Sequence, residues 1–181
     1  KYGTIYGKPT VEIPEHVDKA VYEGLVDFAK SIGVSHERLM RFPPGQGSRA
    51  LGLSYQGQNK ILSRFATETS VIAHEITHQI DHKYDLWKII TGGEKGNERK
   101  SQIQKDLRAI ADLTGDRGGK PRSKEEKIAQ MGEAYVHAPE LMKEKAPTVF
   151  KKFDDFIRSK PELKDLSKIK PGIELEKLVG E

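Results

Sequence analysis

The run Val71-Ile-Ala-His74-Glu75-Ile-Thr-His78-Gln-Ile-Asp81-His82 decides how the chain is read. Val71, Ile72, Ile76 and Ile80 recur every three to four residues, so the segment is expected to be a helix with an apolar back. On that helix His74 and His78 stand one turn apart on one face, and both imidazoles can reach one ion. Glu75 follows the first of them directly. Chance supplies His-Glu-x-x-His in a chain of this composition on the order of one or two times in a hundred. It rarely places the pattern inside a helix with an apolar back. The plainer reading is two surface histidines on a capped helix.

The chemistry of this spacing is specific. In metalloproteases with the same pattern, the glutamate is a general base that takes a proton from water and passes it to the leaving amine. A pair of imidazoles favours zinc or its neighbours over Mg²⁺ or Ca²⁺. Catalytic zinc uses three protein ligands and an open position, so two histidines leave the site incomplete. His82 lies one further turn along the same face, but three ligands on one straight helix span more than about 10 Å. The third ligand is therefore expected from elsewhere: His16, His36, His137, or a glutamate on a later helix.

Outward from this segment the chain alternates between periodic stretches and breaks. Residues 1–13 read as an extended lead-in. Pro14 opens a helix whose apolar face is Val17, Ala20, Val21, Leu25, Phe28 and Ile32, and Gly33 ends it. Residues 42–48 are a loop. Leu51–Tyr55 and Lys60–Phe65 read as two strands joined at Gln56-Gly57-Gln58, and the central helix is expected from Thr67 to about Trp87. Gly92-Gly-Glu-Lys-Gly96 is a loop without the Gly-Lys-Ser/Thr spacing of a phosphate-binding loop. Ile103, Leu107, Ile110 and Leu113 mark another helix, 115–122 is a loop, and a helix is expected over Ser123–His137. Pro139 and Pro147 open two more, the last carrying Val149, Phe150, Phe153, Phe156 and Ile157. A helix, a short sheet and several further helices predict an α+β domain, with helices packed against a small sheet.

Composition narrows the classes. The chain of 181 residues reads as one domain, 1–181, with residues 161–181 a weakly patterned charged tail. It begins at Lys1 and is expected to be processed there or cut from a longer polypeptide. At 32% charged and 35% hydrophobic it is polar, but the apolar residues fall in periods, which favours a fold. It has no cysteine, which excludes disulfides, thiolate nucleophiles and cysteine-ligated zinc. The formal charge of +4 permits an acidic partner without demanding one. No interleaving of aromatic and basic residues marks a nucleic-acid surface. The lysines between Lys143 and Lys170 alternate with acids and read as a solvated helical face. No apolar run approaches the length needed to cross a bilayer.

The sequence His74-Glu75-Ile-Thr-His78-Gln-Ile-Asp81 resembles the active-site helix of the gluzincin metallopeptidases, in the group of the anthrax lethal factor catalytic domain and the Pro-Pro endopeptidases. In that group an aspartate commonly follows the second histidine by three residues, as Asp81 does. The third ligand is a glutamate on a later helix, with an Ala-Pro further on opening another helix. Here Glu126-Lys-Ile-Ala-Gln-Met-Gly-Glu-Ala-Tyr135 precedes Pro139 and Ala146-Pro147, so the likeness covers roughly residues 50–158.

The resemblance implies a zinc endopeptidase acting on a protein or peptide, with His74, His78 and Glu126 as metal ligands and Glu75 as base. Glu133 is the alternative third ligand, since residues 126, 130, 133 and 137 share one helical face. Ser123-Lys-Glu-Glu126 is also a capping box, which offers Glu126 a purely structural role. Asp81 is a candidate to hydrogen-bond the far nitrogen of His78. The chain departs from the family at Gln130, where a second acid is common, and at Gly119, where an oxyanion-stabilising tyrosine is common. Tyr135, His137, Arg117 and Arg122 are then the candidate oxyanion donors. Leu51–Tyr55 is the candidate edge strand for an extended substrate. Two other readings stand beside this one: a zinc-binding module without catalysis, and a basic nucleic-acid-binding domain.

Overall fold

The computed structural model describes residues 15–39, 52–63, 69–92, 97–114 and 123–170. Helix α1 (Glu15–Ser31) buries Val21, Leu25, Phe28 and Ala29 along one face. It ends where Gly33 takes φ +78°, and the Val34 amide donates to the Ala29 carbonyl at 2.8 Å. This six-to-one closure needs a residue that tolerates the left-handed region.

The sheet has three strands: β1 (Ser35–Arg38), β2 (Gly52–Tyr55) and β3 (Lys60–Ser63), in the order β1-β3-β2. β2 and β3 are antiparallel, with Leu53 opposite Leu62, and a short 3₁₀ turn at Gln56–Gln58 joins them. β1 runs parallel to β3, with His36 opposite Ile61. Sequence reading anticipates β2 and β3 but not β1. Ser35-His-Glu-Arg38 has no apolar side chain and is largely exposed, so no hydrophobic alternation announces it. Leu51, Arg64, Phe65 and the loop at 42–48 lie outside the described residues.

Seven α-helices and a 3₁₀ helix at Lys164–Lys168 make up most of the rest of the described chain. After α1 come α2 (Thr69–Tyr84), α3 (Leu86–Thr91), α4 (Asn97–Thr114), α5 (Lys124–His137), α6 (Pro139–Lys145) and α7 (Pro147–Ser159). The architecture is α+β. α2 is its centre: every residue from Thr69 to Ile80 is buried, and it is packed by α1, α5 and strands β2 and β3. The single helix expected over Thr67–Trp87 is in fact two. Asp85 stands at φ +54°, and its carboxylate accepts from the Lys88 amide at 3.4 Å. The Asp81 carboxylate accepts from the Leu86 amide at 2.8 Å. Two aspartates thus cap the start of α3 and turn the chain.

α7 begins at Pro147 with no cap of its own. Asp106 of α4, 1% exposed, supplies one from a distance: Oδ2 accepts from the Thr148 and Val149 amides at 2.8 and 3.0 Å. Within the expected tail, Leu163 and Leu166 are buried in the core and Ile169 lies against α1 at Gly24. Residues 171–181 lie outside the described residues. Lys145–Glu144, Lys151–Asp155 and Lys168–Asp165 form exposed ion pairs, in keeping with a solvated face. No helix of the described residues is long and apolar enough to cross a membrane.

Candidate metal centre

Two helices build the site. α2 carries His74, Glu75 and His78, and α5 crosses it with Glu126 in its first turn and Glu133 two turns on. The crossing is close. A Cβ built on Gly132 would lie 1.7 Å from Thr77 Oγ1, so only glycine fits there. Ser123 caps α5, its hydroxyl accepting from the Glu126 amide at 3.3 Å. The Glu126 carboxylate lies against the histidines.

One Glu126 oxygen lies 3.2 Å from His74 Nε2 and the other 3.4 Å from His78 Nε2. His74, His78 and Glu126 each offer a ligand atom, and these atoms lie within 4.8 Å of one another. The imidazole rings stand edge to face with centroids 4.9 Å apart. Despite these distances, neither Nε2 has a hydrogen-bond partner among the described residues, nor does His78 Nδ1. The donor atoms are thus close together without meeting hydrogen-bond geometry. A tetrahedral ion with bonds of about 2.0–2.2 Å spaces its ligand atoms roughly 3.3–3.5 Å apart. The 3.2 and 3.4 Å separations, each to a different oxygen of the carboxylate, fall near that spacing, and the His₂Glu donor set is one that zinc takes.

Glu75 is fully buried, and neither carboxylate oxygen has a hydrogen-bond partner among the described residues. Room for it is left by β2, since a Cβ on Gly52 would lie 2.8 Å from Glu75 Oε1 and 2.4 Å from Val71 Cγ1. Burial pushes the Glu75 carboxyl well above the usual carboxylate range. Burial also penalises the charged form of His74, but the Glu126 and Glu133 carboxylates outweigh it and lift that imidazole to about 9. His78 is pushed down by burial. Burial would raise Glu126, yet the two imidazoles beside it hold it well below its ordinary value.

Glu133 is 8% exposed. Its Oε2 lies 3.4 Å from Nδ1 of His74, on the other side of the ring from Glu126. The remaining sequence candidates lie elsewhere. His82 is exposed. His36 pairs with Ser63 Oγ on the sheet at 2.8 Å. Asp81 does not bond His78, because the amide of Leu86 takes its carboxylate. The Tyr135 hydroxyl donates to Asp154 Oδ1 at 2.6 Å, and burial together with that carboxylate holds the phenol protonated. His137 Nδ1–H donates to the Glu133 carbonyl at 3.2 Å, which leaves Nε2 to accept from the Thr69 hydroxyl at 2.7 Å. Tyr135 and His137 are therefore engaged in packing α5 and do not stand as free oxyanion donors. The side chain of His16, and Arg117, Gly119 and Arg122, lie outside the described residues.

Sequence reasoning does not single out Gly52 or Gly132 as site residues. A glycine inside the helical pattern, as at Gly132, is the available signal of close backbone approach. No family model matches the chain, and no curated protein and no solved structure matches it either.

Proposed function

We propose that the chain is a zinc-dependent endopeptidase of gluzincin type, hydrolysing a peptide bond in a protein or peptide substrate. His74, His78 and Glu126 would hold the ion, and Glu75 would be the general base. One observation carries the reading: two buried imidazoles and a half-buried carboxylate bring their donor atoms within 4.8 Å of one another, the imidazole nitrogens among them lack hydrogen-bond partners among the described residues, and the fully buried Glu75 carboxylate follows His74 directly in sequence.

A zinc ion held by His74, His78 and Glu126 would supply Lewis acidity, lowering the pKa of water toward ~7 and polarising a carbonyl. Glu75 takes the proton from the attacking water and returns it to the leaving amine. Burial raises the proton affinity of the Glu75 carboxyl, and a general base acts from its ionised form. Glu126 would bring the negative charge that offsets the cation.

A second reading, a zinc-binding module without catalysis, is favoured by the engagement of Tyr135 with Asp154 and of His137 with Thr69. Elemental analysis of protein purified without added metal or a histidine tag separates these readings from a chance motif. About one zinc per chain is expected in the parent and in Glu75→Gln, and none in His74→Ala. A peptide-library digest then decides between the first two. Cleavage by the parent and none by Glu75→Gln supports the peptidase. Equal activity in both removes Glu75 as base, and zinc without cleavage leaves the binding module.

A further inference from the structure

α5 presents two carboxylates to His74, and they meet opposite edges of the same ring. Residues 126 and 133 are seven apart and share one helical face. Glu126 faces Nε2 of both histidines, whereas Glu133 faces Nδ1 of His74 alone. An imidazole that gives one nitrogen to a metal keeps its proton on the other, and a partner there fixes the tautomer and the ring plane.

We propose, building on the metal reading above, that Glu133 is not a ligand but the positioning residue of His74: it accepts the Nδ1–H proton and so commits Nε2 to the ion. Three features hold it in place. Gly132, its neighbour, is pressed onto Thr77 of α2. Its own carbonyl accepts from His137. His137 in turn accepts from Thr69, the first residue of α2. The last turns of α5 are thereby fastened to α2 on both sides of Glu133, which removes most of its freedom to move away.

The arrangement is asymmetric. His78 Nδ1 is buried without a partner among the described residues, and Asp81, the nearest candidate by spacing, caps α3 instead. His74 is therefore the ligand anchored at its far nitrogen, and the far nitrogen of His78 has no such partner among the described residues. Removing Glu133 should loosen the ion, whereas removing Asp81 should not.

The test is zinc affinity by competition with a chromogenic chelator, on the parent, Glu133→Gln, Glu133→Asp and Asp81→Ala. The metal-free melting temperature of each serves as a check on folding. Glu133→Gln keeps the shape and removes the charge. Glu133→Asp keeps the charge and shortens the reach by one methylene, so it gives a second route to the same answer. Both should bind zinc about 10- to 100-fold more weakly than the parent, with Asp81→Ala unchanged. In the zinc-loaded parent a downfield imidazole N–H proton resonance should belong to His74, and it should move upfield in Glu133→Gln, which a purely structural role for Glu133 would not produce. Parent-like affinity and an unmoved resonance in both Glu133 variants would overturn the assignment while leaving the metal site intact. Complete loss of zinc in both, as expected for Glu126→Ala, would make Glu133 a ligand and overturn it too. A parent that takes up no zinc would remove the metal reading itself, and this role with it.

Discussion

Gly132 of α5 and Thr77 of α2 are packed so closely that a Cβ at position 132 would lie 1.7 Å from the threonine Oγ1 and 2.7 Å from its Cβ and Cγ2. The threonine cannot swing aside freely, because its hydroxyl donates to the Ala73 carbonyl at 2.7 Å. The separation of the two helices, and with it the reach of Glu126 and Glu133 toward His74, depends on this contact.

Gly132→Ala should therefore cost about 1–3 kcal/mol in denaturant unfolding, the range for forcing extra volume into a packed interior. It should also weaken zinc binding. Thr77→Ala in the same chain removes two of the three obstructing atoms and should restore part of both losses. A double-mutant cycle measures that coupling. Additive effects would mean that the contact does not set the helix spacing.

Gly52 plays the corresponding part on the sheet side. Gly52→Ala places a methyl group against Val71 and the Glu75 carboxylate. Glu75 must move, and a base displaced by about 1 Å loses on the order of 100-fold in rate. Expected is a variant with parental zinc content and peptide hydrolysis reduced by roughly that factor.

Asp81→Ala should remove the cap on the Leu86 amide and destabilise the fold by about 1 kcal/mol. Circular dichroism in urea measures the loss, while zinc content should stay at the parental value. A fall in zinc content would return Asp81 to the neighbourhood of His78.

His137 gives the pH dependence. Burial lowers its imidazole to about 4 in the folded protein, against about 6.5 in an unfolded chain. Between these values the unfolded state takes up a proton that the folded state refuses. Its contribution to stability is thus complete above about 6.5 and falls away as the pH drops toward 4. The melting temperature should decline through that window, and His137→Gln, which does not titrate, should decline less steeply. Equal slopes in the two proteins would show that other groups govern acid unfolding.

What could be read from the sequence follows the range of the interactions. His74, Glu75 and His78 lie within one helical turn, so spacing alone brings them together. The choice between Glu126 and Glu133 could not be made that way, because helical periodicity puts both on one face. Only the crossing of α2 and α5 shows which carboxylate meets Nε2 and which meets Nδ1. The Ser123 capping box was legible, yet it settled nothing about Glu126, since the residue caps through its amide and reaches the histidines through its carboxylate. The break at Asp85 was hidden because apolar positions continue across it to Leu86 and Ile90, both buried. β1 was hidden because a short polar edge strand carries no alternation, and its pairing partner in β3 lies well downstream.

The two α5 carboxylates that meet His74 come from far along the chain; Glu133, which faces its Nδ1, is 59 positions away. Closing such a loop is entropically costly, and contacts of this range are late events in folding. A peptide spanning α2 alone keeps both imidazoles but has neither carboxylate. Ion capture should therefore report on tertiary closure of the whole chain, so that zinc uptake during refolding follows the docking of α5 rather than the formation of helix.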